Sequence, residues 1–73
     1  MKEELLKLLE EEYPEVDFHA ENLVDDGILD SLTLVGMIGT ISIEYGIQIP
    51  YEEIISENFN SLDAIAALVE RLR

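Results

Sequence analysis

The stretch DDGILDSLTLVG, residues 25 to 36, sets three aspartates and a glycine ahead of one serine and turns apolar behind it. A hydroxyl reacts as a nucleophile only when a nearby base takes its proton, and the single histidine, His19, lies well upstream of Ser31. No set of nucleophile, base and orienting group can be assembled from the rest of the chain, so no catalytic residue is assigned and the chain is read as a non-enzyme. The same stretch invites a calcium reading, but an EF-hand loop needs oxygen ligands at alternating positions, and Gly27 and Leu29 interrupt that series. His19 with Glu21 has no further ligand at zinc-like spacing, so no metal site is expected. What remains is a serine beside Asp30 at the start of an apolar run, which is ordinary capping chemistry.

The elements that must position this serine are helical. KEELLKLLEEEY places Leu5, Leu8 and Leu9 on one stripe, widened by Leu6 and Tyr13, and Pro14 stops the helix. From Pro14 to Asp30 no period is sustained. This segment reads as a long loop pinned by Val16, Phe18, Leu23, Ile28 and Leu29. Asp30 or Ser31 caps a second helix that runs to Tyr45 and ends at Gly46, a natural left-handed residue. IQIP is an extended link, and YEEII, residues 51 to 55, predicts a short third helix. Asn60 or Ser61 caps the last helix, whose core stripe is Leu62, Ile65, Ala66, Leu68, Val69 and Leu72. No strand pattern or repeat competes. The expected fold is a single all-α domain over residues 1–73, a four-helix bundle of three longer helices and one short third helix.

In the second helix, Leu34, Met37, Ile38, Ile41 and Tyr45 follow the spacing of a buried stripe. That leaves Leu32, Val35, Gly36, Gly39, Ser42 and Ile43 toward solvent or the flank. Two glycines inside a helix cost roughly 1 kcal/mol each relative to alanine. Either they let another helix of the bundle approach closely, or they shape a flat apolar surface beside Ser31 for a partner. The second reading makes Leu32, Val35, Gly36, Gly39 and Ile43 a partner-binding strip. Tyr45, Tyr51 and Phe59 are expected in the core or at its rim, where they could border a cavity.

The combination resembles the acyl carrier protein family, including stand-alone acyl, D-alanyl and peptidyl carriers. The resemblance spans essentially the whole chain, through LVDDGILDSLTLV, EYGIQIPYEEI and NFNSLDAIAALVERL. It implies that Ser31, in the D-S-L motif, receives 4′-phosphopantetheine from coenzyme A, and that Asp30 helps the transferase recognise the site. The cargo then rides as a thioester on the thiol of the arm. The implied partners are a phosphopantetheinyl transferase, a ligase that loads an acyl or aminoacyl group, and a downstream transferase or synthase of a fatty-acid-like or specialised pathway. The best-known fatty-acid carriers have acidic residues along the second helix. Here Thr33, Gly36, Ser42 and Ile43 take much of that face, and Glu44 is the only acid before Gly46. A dedicated partner that reads Leu32 and Val35 is therefore expected.

Composition sets the outer limits. Seventeen acidic residues against four basic ones give a formal charge of −13, which repels phosphate backbones and excludes direct nucleic-acid binding. The same field attracts basic proteins. An unmodified acidic helical adaptor that docks a basic partner is thus the alternative from a different functional class. The chain has no cysteine, and no apolar run approaches the ~18 residues of a membrane span. The N-terminus is acidic and amphipathic, unlike a secretory signal. A cytoplasmic monomer without membrane insertion is expected.

Overall fold

In the computed structural model, which describes all 73 residues, the helical periods of the sequence become four helices: α1 (Lys2–Glu12), α2 (Ser31–Tyr45), α3 (Ser56–Phe59) and α4 (Leu62–Leu72). A 3-10 helical turn, Tyr51–Glu53, precedes α3, and the chain contains no strand. The result is a small all-helical bundle. No helix is long and apolar enough to cross a membrane.

One core collects residues from every part of the chain. Leu5 and Leu9 of α1 meet Met37 and Ile41 of α2, Phe59 of α3, and Leu62, Ile65, Leu68 and Val69 of α4. Every buried residue is apolar, and each fully buried leucine or isoleucine contributes on the order of 2 kcal/mol. The stripe read for α4 is reproduced in full, with Ala66 and Leu72 packed against the buried four. In α2, Leu34, Ile38 and Tyr45 likewise flank Met37 and Ile41.

Leu8 departs from the α1 reading. It is only half-buried, and Met1, Leu6 and Tyr13 pack on the core instead. The buried pair, Leu5 and Leu9, is spaced by four, which turns the core-facing stripe away from Leu8. Tyr13 donates its amide to the Leu9 carbonyl at 2.8 Å, closing α1 just ahead of Pro14.

The third helix is not where YEEII placed it. Tyr51–Glu53 forms only a 3-10 turn, and Ile55 is extended (φ −127°, ψ 155°), so helix resumes at Ser56. The cause lies in two neighbouring contacts. Asn58 Nδ2 donates to the Glu53 carbonyl at 2.7 Å, capturing an acceptor that a continuous helix would have used. Phe59, fully buried, fixes the single turn of α3 against the core.

The segment between α1 and α2 is long but anchored. Val16, Phe18, Leu23 and Leu29 are buried, whereas Ile28 is 40% exposed and does not act as the pin expected of it. Tyr51 is also corrected: it is 87% exposed, outside both core and rim.

Candidate functional site

On sequence grounds Asp30 and Ser31 compete for the cap of α2, and the structure gives it to Asp30. Asp30 is extended (φ −85°, ψ 175°), and its Oδ1 accepts the Thr33 amide at 2.8 Å. Its carbonyl accepts the Leu34 amide at 2.9 Å. Hydrogen bonds from the Thr33 amide and then the Thr33 hydroxyl hold the Asp30 carboxyl below the usual aspartate range; slight desolvation opposes them, and the Leu32 amide adds a smaller pull downward. Ser31 is left as the first helical residue, exposed and with no capping role. At this position it faces the positive end of a 15-residue helix, whose first amides lie outside the helical ladder.

The approach to Ser31 is built by a hydrogen-bonded loop. Leu29 is buried two residues before the serine, and its amide bonds the Leu23 carbonyl at 2.9 Å. Gly27 adopts φ +74°, the left-handed conformation that suits glycine, and its amide bonds the Val24 carbonyl at 3.0 Å. The loop is tied from outside by Asn60, at the junction of α3 and α4. The Asn60 carbonyl accepts the Leu23 amide at 2.8 Å. Its Oδ1 accepts the amides of Val24 and Asp25 at 2.9 and 3.0 Å, and its Nδ2 donates to Asp25 Oδ2 at 3.1 Å. Sequence reasoning considered Asn60 only as a cap, a role that Ser61 takes by accepting the Ala64 amide at 3.1 Å. Nothing periodic in the sequence marks the contact with Asp25.

Beside Ser31, the outer face of α2 is apolar and open. Leu32, Val35 and Ile43 are 85%, 67% and 86% exposed, and a Cβ added at Gly39 would meet nothing within 4 Å. Gly36 requires a correction. It is half-buried, and a Cβ there would come within 2.5 Å of Tyr13 Oη, so its lack of a side chain serves packing of Tyr13 on α2. Sequence periodicity alone also missed two more exposed apolar residues in the segment leading to α3, Tyr51 and Ile55.

Charge is distributed unevenly. All but Glu3 and Glu4 of the 17 acidic residues lie between Lys7 and Arg71, a stretch without lysine or arginine. Lys2 pairs with Asp63 at 2.6 Å, Arg71 with Glu53 at 3.1 Å and Arg73 with Glu70 at 3.6 Å. The one cleft, about 240 Å³, lies between Lys2, the Phe18–Glu21 loop and the start of α4. His19 lines it, and its backbone amide bonds Asp17 Oδ1 at 3.0 Å.

No protein-family model, curated protein or solved structure matches the chain.

Proposed function

We propose that this chain is a carrier protein, holding an acyl or aminoacyl group as a thioester on a 4′-phosphopantetheine arm attached to Ser31. The observation that carries this reading is the division of labour at the start of α2: Asp30 caps the helix, and Ser31 stands exposed beside it with its hydroxyl unspent. The motif around it, DSL after a pinned loop, supports the same reading.

The residues present suit the arm. A phosphodiester on Ser31 Oγ would lie at the amides of the first turn, where the helix dipole favours an anion. The exposed site imposes no steric barrier to a chain leaving it toward solvent. When bound, the arm would supply a terminal thiol for the thioester. The Asp30 carboxylate is engaged in the cap, so the transferase would take the hydroxyl proton as the serine O–P bond forms and the pyrophosphate bond of coenzyme A breaks, releasing adenosine 3′,5′-bisphosphate. The chain is thus a substrate of that transferase and a carrier for later enzymes.

Partner enzymes would read Leu32, Val35, Gly39 and Ile43, the open apolar face next to the serine. The surrounding carboxylates would speed encounter with basic partners without supplying most of the close contact. The test is intact mass after incubation with coenzyme A and a phosphopantetheinyl transferase of broad specificity. A gain of one arm supports the carrier reading. No gain favours an unmodified acidic adaptor.

A further inference from the structure

The loop that presents Ser31 is not held by α2 or by its own residues alone; it is fastened to the junction of α3 and α4 through one residue, by its backbone carbonyl and its side chain. Asn60 satisfies three consecutive residues. Its carbonyl takes the Leu23 amide, its Oδ1 takes those of Val24 and Asp25, and its Nδ2 holds the Asp25 carboxylate. The Leu23 peptide passes the constraint on, since its carbonyl accepts the amide of Leu29, buried just ahead of Asp30 and Ser31.

The chemistry at position 60 is restrictive. Two backbone amides demand an acceptor with two lone pairs, and the neighbouring carboxylate demands a donor; asparagine offers the two on separate atoms, Oδ1 and Nδ2, where a serine or threonine hydroxyl would have to serve both from one oxygen. An aspartate would keep the acceptor and set two negative charges together. An alanine would leave Val24 and Asp25 amides to water.

We infer that Asn60 is a positioning residue for modification at Ser31, its side chain acting through Val24 and Asp25 to fix the loop that the transferase reads. The inference rests on the carrier reading. Ser61, its neighbour, caps α4, so the serine loop and the start of α4 are registered by adjoining residues.

The experiment compares wild type, Asn60→Ala, Asn60→Asp and the exchange of both partners, Asn60→Asp with Asp25→Asn. Two readouts are taken: hydrogen exchange of the Val24 and Asp25 amides, and steady-state transfer of phosphopantetheine to the carrier. Asn60→Ala should speed exchange at both amides and raise KM for the carrier about tenfold, with kcat little changed. Asn60→Asp should impair transfer, and the paired exchange should restore it, because donor and acceptor are swapped at constant charge. Hydrogen exchange at the buried core amides, expected unchanged in every variant, separates positioning from a general loss of stability. Unchanged amide exchange in Asn60→Ala, unchanged KM, or failure of the paired exchange to recover transfer would overturn the inference. Failure of the wild type to accept any arm would overturn the carrier reading instead, while amide exchange would still report whether Asn60 fastens the loop.

Discussion

Tyr13, at the end of α1, lays its hydroxyl over Gly36 of α2, where an added Cβ would come within 2.5 Å of Oη and 3.6 Å of Cζ. The first distance is too short for any real contact, and the second is ordinary. Removing the hydroxyl should therefore make room. Gly36→Ala is expected to stabilise the Tyr13→Phe variant by about 1 kcal/mol, the helix-propensity gain, and to stabilise the wild type less. Urea unfolding of the four proteins of the cycle measures this. Equal effects in the two backgrounds would show that Tyr13 moves aside at no cost.

Gly36 also marks where reading by period reaches its limit. The buried stripes of α2 and α4 were legible because a core-facing residue recurs every three or four positions. A cap at Asp30 or Ser31 was legible because capping chemistry is local, and the structure chooses Asp30. Position 36 lies off the stripe, and only the tertiary placement of Tyr13 covers it. The shift of the third helix to Ser56 rests on the burial of Phe59 and the Asn58 hydrogen bond, and the fastening of the serine loop on the hydrogen bonds of the Asn60 side chain. Such bonds leave no repeating signal. At the candidate site, then, a capped helix start at Asp30 or Ser31 was readable, whereas the choice between them and the fastening of the loop were not.

Asp30 carries a pH dependence with a defined sign. Its carboxyl is held below the ordinary aspartate value of 3.8 by the Thr33 amide and hydroxyl. A depressed folded pKa contributes stability above the unfolded value, and that contribution disappears as pH falls through the folded one. Asp30→Asn retains a capping oxygen but cannot titrate. The stability difference between wild type and Asp30→Asn should thus shift against the wild type as the solution is acidified below 3.8. Carboxyl NMR titration should place the Asp30 midpoint under that value; a midpoint above it would contradict the cap geometry.

The outer face of α2 should tolerate polarity. Leu32, Val35 and Ile43 are largely in water already, so replacing all three by glutamine should change the unfolding free energy by no more than about 1 kcal/mol. The same variant should bind less of an apolar fluorescent dye. A loss of several kcal/mol would mean that these side chains support the fold.

Salt should stabilise the domain. With 17 carboxylates against four basic side chains, repulsion dominates the surface, and the exposed ion pairs formed by Lys2 and Arg73 offset little of it. Thermal unfolding at rising sodium chloride should show a rising Tm. A Tm that falls would indicate that the ion pairs outweigh the repulsion.

A carrier role for this chain requires modification at Ser31, and intact-mass analysis of two proteins measures that modification. Wild type and Ser31→Ala are each incubated with coenzyme A and a phosphopantetheinyl transferase of broad specificity. Because Asp30 supplies the cap, Ser31→Ala should fold with a stability within about 0.5 kcal/mol of wild type. The wild type should gain the mass of a single arm and Ser31→Ala none. Modification of Ser31→Ala to the same extent, or no modification of the wild type, would contradict the assignment.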